Sequence, residues 1–265
     1  MEGITLGPFL IRWSGLAIAL GIALGALLAA LETKRRGHDP EIIYHLFVPV
    51  TLWGLAVARL WHIFTPPLSS VQLGLTTGHY LSNWLDALAL WTGGFGVPGA
   101  LLGVTFGLFL FSRKYRLPFR ELTDLLAPGL TLAMSVGRLG DYFDQQLYGL
   151  PTRLPWGIFI QPPNRLGGYE QVEYYHPLFL YEAVPTFLFV IALLWMTRRY
   201  SASLWAGDLF LLSLAYYSAL RFSLEFLRLD VALVNGVNVN QVFCILLFLL
   251  AGGLLFWRHR PRREL

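Results

Sequence analysis

The chain has 265 residues, of which 55% are hydrophobic and 14% charged, where soluble domains average about 25% charged residues. A mean hydropathy of +0.55 points the same way, and the apolar residues fall in runs of roughly 20, the length that crosses a hydrocarbon core of about 30 Å. The net charge of +4 is not a nucleic-acid signal, because the basic residues gather at helix ends, and the single cysteine, Cys244, excludes an internal disulfide and any cysteine-based metal site.

Seven spans follow in chain order, at about 8–31, 42–64, 90–111, 121–136, 176–196, 204–224 and 238–257. The first has no small-residue cleavage site behind a short apolar stretch, so it reads as a retained helix and not a removed signal peptide. The fourth is short and contains Pro128 and Gly129, which marks it as broken or re-entrant; such backbone is tolerated at membrane depth only when protein or a wet cavity shields it. The sequence therefore predicts an all-α polytopic membrane protein, a single unit over 1–265. Its outer connections, about 65–89 and 137–175, form a small extracytoplasmic head. The second connection is rich in Gly, Pro and aromatics, too apolar for a disordered linker.

Every other connection is basic. Lys34, Arg35 and Arg36 follow the first span, Arg113, Lys114, Arg116 and Arg120 the third, Arg198 and Arg199 the fifth, and Arg258, Arg260, Arg262 and Arg263 the last. The positive-inside rule puts these in the cytoplasm, leaving the N-terminus outside and the C-terminus inside. An odd number of spans agrees.

Charged groups inside a span cost several kcal/mol and often mark function. Here Arg59, Arg138, Glu182, Arg221 and Glu225 lie in the outward half of the membrane, with Arg228 and Asp230 just beyond. Four arginines at that depth suggest a site for an anion, because the rigid fork of guanidinium donors suits phosphate. Each has a plainer reading beside it. Arg221 and Glu225 are spaced i,i+4 and can form an intrahelical ion pair. Arg59 can snorkel to the interface. His62 and His176 can be hydrogen-bonded structural histidines, and Cys244 a small core hydrophobe.

The stretch Gly137-Arg138-Leu139-Gly140-Asp141-Tyr142-Phe143-Asp144-Gln145-Gln146, with Gly149 three residues on, resembles the signature of prolipoprotein diacylglyceryl transferases, Gly-Arg-x-Gly-Asn-Phe-x-Asn-x-Glu. The resemblance covers nearly the whole chain. Leu6-Gly7-Pro8-Phe9 and Ile11-Arg12-Trp13 are similar to that family's N-terminal segment, and Ala58-Arg59-Leu60 to its second span. Trp91-Thr92-Gly93-Gly94 matches the opening of span three, and Asp124 to Gly129 the lead into the signature. His176-Pro177 with Leu180-Tyr181-Glu182, then Arg221-Phe222, Glu225-Phe226 and Arg228, match its later motifs, and Asn240-Gln241 opens the last span.

The resemblance implies seven spans in the bacterial plasma membrane and a reaction between two membrane substrates, with no cofactor, metal or nucleotide. The diacylglyceryl group of phosphatidylglycerol moves to the lipobox cysteine of a prolipoprotein that still carries its signal peptide. Glycerol phosphate leaves and a thioether forms. The chemistry needs a phosphate clamp, stabilisation of the departing anion, and a base for a thiol of pKa about 8.5. On this reading Arg138 and Arg221 hold the phosphate, Asp141 or Asp144 takes the proton, Arg59 and Arg228 extend the cluster, Gln146 shapes the headgroup pocket, and His176, Tyr181, Glu182 and Glu225 support it.

The departures fall in the signature. Asp141 and Asp144 replace two asparagines, Gln146 replaces the glutamate, Ser14 replaces a tyrosine, and Pro98 stands where some members carry a histidine. Two readings stay open: a rewired active site, or a diverged member that binds phospholipid or signal peptide without turnover. A transporter would need an inward polar path, and the unusual polar residues lie on the outer side.

Overall fold

The computed structural model describes residues 3–6, 9–89 and 92–260. Gly7, Pro8 and Trp91 of the matched segments, and Arg262 and Arg263 of the basic tail, lie outside these. The chain opens on a hairpin, β1 (Gly3–Leu6) and β2 (Phe9–Arg12), paired from Gly3↔Arg12 to Leu6↔Phe9. The first helix, α1, then runs Trp13–Arg35, five residues later than the expected start at 8. Ile4, Thr5, Phe9 and Ile11 are strand-prone residues, and their run is too short to span anything.

Helix α2 (Glu41–Phe64) returns. Three one-turn helices follow, α3 (Leu68–Gln72), α4 (Thr77–Ser82) and α5 (Trp84–Leu88). The next long helix, α6, covers Val97–Tyr115, seven residues later than expected. Pro98 falls in its first turn, where a missing N–H costs nothing. Helix α7 (Phe119–Arg138) passes through Pro128 without interruption, so the expectation of a broken fourth span is corrected. Its stability there comes from packing: Gly129 lies against Gly25 of α1 so closely that a Cβ on Gly25 would sit 2.5 Å from the Gly129 carbonyl oxygen. A short helix α8 (Gly140–Asp144) follows. Helices α9 (Leu178–Arg199), α10 (Asp208–Glu225) and α11 (Val239–His259) complete the bundle. Asn238 caps α11, its side chain accepting from the amides of Asn240 and Gln241 at 3.1 and 3.2 Å.

Four of these helices, α1, α2, α9 and α11, are long and apolar enough to cross a membrane. Large apolar side chains cover their outward surfaces, Leu246, Leu249 and Phe256 among them. A continuous exposed apolar surface of that kind needs an apolar solvent. The protein is a mostly helical membrane protein.

Neighbouring contacts fix which ends lie together. Gly21 and Gly25 of α1 face Ala133 and Gly129 of α7, while Gly99, Gly103 and Gly107 of α6 face Trp61, Trp53 and Val50 of α2. Both pairs are antiparallel and closely packed through glycine. A core of Ala29, Ile43, Leu46, Leu108, Leu122 and Leu126 closes the end carrying the basic connections.

The head occupies the other end. Strands β3 (Ile158–Phe159) and β4 (Tyr174–Tyr175) pair antiparallel over a small core of Tyr148, Ile160, Leu166, Tyr175 and Leu229. The Tyr148 hydroxyl accepts from the Leu166 amide and donates to the Asn164 carbonyl, both at 2.8 Å, and burial pushes its pKa up to about 12. A last hairpin, β5 (Leu233–Val234) and β6 (Val237–Asn238), leads into α11. Asp230 binds the amide and hydroxyl of Ser69 at 2.8 Å, and Gln72 accepts from the Gly167 amide at 3.1 Å. Gln72 and Gly167 thus link the 65–89 and 137–175 connections to each other, and Ser69 and Asp230 link the first of them to the segment after α10.

Candidate active site

Glu182 is the centre of the site. It stands just over one turn into α9 and is 2% exposed. Oε1 accepts from Nε of Arg138, at the end of α7, at 2.7 Å, and Oε2 accepts from Nη1 of Arg221, on α10, at 2.9 Å. One carboxylate therefore joins three helices. Nη2 of Arg221 also lies 3.1 Å from Glu225, one turn on, and Arg228 approaches the same carboxylate at 3.8 Å. The other oxygen of Glu225 accepts from Asn238 and Asn240, each at 3.3 Å. Asp141 completes the group, its Oδ2 accepting from Nη1 of Arg138 at 3.3 Å.

Local chemistry places these groups. Ser135 donates to the Ala183 carbonyl at 2.8 Å, pinning α7 to α9 one turn before Arg138. Arg221 and Glu225 meet because residues four apart share a helix face. Arg228 is fixed from the backbone: Leu150 donates to the Leu227 carbonyl at 2.8 Å, and Gly149 bridges Arg228. A Cβ on Gly149 would lie 2.7 Å from the Leu227 carbonyl oxygen, so the close approach requires glycine.

Three guanidinium groups face three carboxylates, and their mutual attraction in a largely buried site compensates a burial that would be prohibitive for any one alone. The balance is incomplete. Among the described residues, Nε of Arg228 and the hydroxyl of Tyr217 are buried without a hydrogen-bond partner. Tyr217 precedes Arg221 by one helical turn. Sequence reasoning passed over it; its spacing from Arg221 was the available signal. Asn238 and Asn240 were likewise legible only as a helix opening. Burial lowers the pKa of Arg228, and burial raises that of Asp141 against the opposing pull of Arg138.

The remaining expected residues divide. Tyr181 and His176 sit together at the rim, with Tyr181 Oη 3.2 Å from Nδ1 of His176 and accepting from Trp156 Nε1 at 2.6 Å. Among the described residues, Asp144 and Gln146 take no part in the arginine–carboxylate bonds. Their neighbour Gln145, left-handed at φ 53°, accepts instead from the Gln161 amide and the Asn164 side chain at 2.9 and 3.0 Å. Arg59 is committed elsewhere. It donates to the carbonyls of Asp86 at 2.6 Å, Ala87 at 2.9 Å, Gly93, and Gly94 at 3.3 Å. Positive φ at Gly93 and Gly94 turns those carbonyls toward it. It fastens the connection between α5 and α6, and the plainer snorkelling reading does not describe it either.

Fold and site together define a helical membrane protein with a buried, carboxylate-bridged arginine centre near one membrane face, beneath an ordered head. The family model described as prolipoprotein diacylglyceryl transferase matches residues 2–257. A phosphatidylglycerol–prolipoprotein diacylglyceryl transferase of Synechococcus elongatus is 34% identical over 99% of this chain and 88% of its own length. Proteins of the same name from Cutibacterium acnes (34% identical; 94% of this chain, 81% of theirs) and Chloroflexus aggregans (32%; 96% and 87%) are also similar. The chain belongs to the prolipoprotein diacylglyceryl transferase family.

Proposed function

We propose that this protein transfers the diacylglyceryl group of phosphatidylglycerol to the lipobox cysteine of a prolipoprotein. The thiolate attacks the diacylglyceryl carbon, the carbon–oxygen bond to phosphate breaks, a thioether forms and glycerol phosphate leaves. The observation that carries the reading is the bridge from Arg138 through Glu182 to Arg221. It holds two guanidinium groups rigidly where negative charge develops on a leaving phosphate, and fixed charges in a dry site stabilise it most.

Arg138, Arg221 and Arg228 clamp the phosphate, the uncommitted Nε of Arg228 being a ready donor. Glu182 and Glu225 orient them. Asp141 is the base: it holds the longest of the bonds to Arg138, and its raised proton affinity suits uptake of a thiol proton. Asp144 and Gln146 border the headgroup pocket, with His176 and Tyr181 at its rim. Arg59 serves the clamp indirectly, by holding the 84–94 connection.

The seven helices of 18 to 24 residues all cross the membrane, with N-terminus outside and C-terminus inside the bacterial plasma membrane, and residues 1–265 work as one unit. The basic last turns of α1, α6, α9 and α11 support that orientation.

Purified protein, phosphatidylglycerol and a lipobox peptide, followed by mass spectrometry, test the reaction. A diacylglyceryl mass shift on the cysteine with release of glycerol phosphate is expected, and its loss in Arg138→Ala with membrane insertion intact. No shift while lipid still binds would replace the transferase reading with a non-catalytic binder.

A further inference from the structure

The end of the bundle opposite Arg138 has a cavity of its own. It encloses about 230 Å³ between the ends of α1, α7, α9 and α10, lined by Arg36, Glu121, Asp124, Ser201 and Trp205 among others. At about 30 Å³ per water it holds several waters or one lipid headgroup. Asp124 lies 14 residues before Arg138 on α7, so the two sites are about 21 Å apart along the helix.

Arg36 is the unusual group in it. Among the described residues its Nη2 is buried and has no hydrogen-bond partner. The carboxylates nearest to it are already taken. Asp124 accepts from the amides of Gly207 and Phe210 at 2.7 and 3.0 Å. Glu32 accepts from Arg35 at 2.7 Å and Arg198 at 3.2 Å. A guanidinium nitrogen turned from water and from protein acceptors is the half of a contact that an anion completes. Burial lowers the pKa of Arg36, with Asp124 and Glu32 opposing.

The rest of the wall narrows the anion. Two carboxylates close by would repel a dianion, whereas a phosphodiester carries a single negative charge. Glu121 lines the cavity and is exposed at its rim, so it suits an amine beyond the phosphate. Leu125, Leu204 and Leu209 supply apolar wall, and Trp205 is half exposed beside them, as tryptophans are at headgroup depth.

We propose that this cavity binds the headgroup of an amine-bearing phospholipid from the leaflet opposite the active site, with Arg36 on the phosphodiester and Glu121 on the amine. The site is separate from the transfer reaction. A lipid held there ties the ends of four helices, three of which, α7, α9 and α10, carry active-site residues at their far ends.

Native mass spectrometry of the delipidated full chain in detergent tests this, with phosphatidylethanolamine as the probe. One molecule is expected to bind to the wild type and to Arg138→Ala alike. Arg36→Gln should weaken it by roughly tenfold or more, the effect of losing a charge-assisted hydrogen bond. Ser201→Trp, which fills the cavity with Arg36 in place, should do the same and decides the matter if Arg36→Gln fails to fold. Excess inorganic phosphate should not displace the lipid. Displacement would give the site to a free anion and overturn the lipid assignment. Unchanged phosphatidylethanolamine binding in both cavity variants would overturn the site itself.

Discussion

Helix α7 carries a charged cluster at each end, and the two differ in what their bonds leave over. At the start, Asp124 accepts two amides from the first turn of α10, capping it from another helix. Asp208 next to it takes Arg258 at 2.9 Å, His259 at 2.7 Å and the Trp205 amide at 2.7 Å. Asp124 is satisfied by backbone amides and Asp208 by one amide and two side chains from the last turn of α11, so both tie helix ends together and work as fasteners. At the other end, Glu182 is satisfied by the guanidinium groups of Arg138 and Arg221, and Glu225 lies against Arg221 and Arg228 while accepting from Asn238 and Asn240. A carboxylate that binds amides fixes the chain; one that binds arginines fixes charges, which can then act on something else.

The largest expected effect breaks the second cluster at its centre. Glu182→Gln removes the one charge that Arg138 and Arg221 share. Removing one partner of a buried ion pair costs about 3–5 kcal/mol; Arg138 keeps only its longer contact to Asp141 and Arg221 its contact to Glu225, and the clamp loses its geometry. Transfer should fall by roughly a thousandfold, the effect of a misplaced electrostatic stabiliser, together with a lower melting temperature in detergent. Transfer near the wild-type rate would show that the arginines are held without Glu182.

Asp124→Asn sharpens the contrast from the other end. The variant keeps one acceptor but presents a donor to an amide, so one amide of the first turn of α10 is left unpaired. A destabilisation of about 1–3 kcal/mol is expected, with transfer per folded molecule unchanged. Thermal unfolding read beside the specific rate separates the two quantities. A fall in specific rate as large as that of Glu182→Gln would mean the two ends are not functionally distinct.

Asp141 tests which member of the second cluster handles protons. Burial raises its pKa, so its proton leaves at a higher pH than from an ordinary carboxylate near about 3.9. The basic form, which accepts the thiol proton, is scarce below that shifted value and grows as pH rises through it. The transfer rate should therefore climb with pH on an acid limb set by Asp141. Asp141→Asn should lower the rate and flatten that limb. A limb that survives in the variant belongs to another group.

The sequence made the second cluster legible and the first nearly invisible. Charged residues inside apolar runs stand out whatever their partners, so Arg138, Glu182, Arg221 and Glu225 could be gathered from spacing and resemblance. Their pairing could not: Arg221 and Glu225 were visible as an i,i+4 pair, but the link from Glu182 to both Arg138 and Arg221 joins three helices, and only packing decides it. Asp124 and Asp208 sit at helix ends beside basic connections, where charge is ordinary. The long helices were legible from hydropathy, with starts misplaced where an apolar hairpin or a loop adjoined them. Continuity of α7 through Pro128 depends on its fit against Gly25, which no local signal carries.

Arg59 shows the same limit in one residue, and the smallest expected effect concerns it. Its charge and depth matched those of the clamp arginines, yet its donors go to four backbone carbonyls. That makes it a fastener built from a cation, the counterpart of Asp124. The carbonyls reach it because Gly93 and Gly94 adopt φ near 80°, and a Cβ on Gly94 would lie 2.7 Å from Nη1 of Arg59. Gly94→Ala should therefore cost about 1–2 kcal/mol, from left-handed strain and a displaced guanidinium together. If Arg59 only fastens, the variant should become more open to limited proteolysis between α5 and α6, and the transfer rate should change less than threefold. If Arg59 belongs to the phosphate clamp, the loss should instead approach that of Arg138→Ala. The ratio of the two losses measures how far a buried arginine can be read as a ligand group before its acceptors are known.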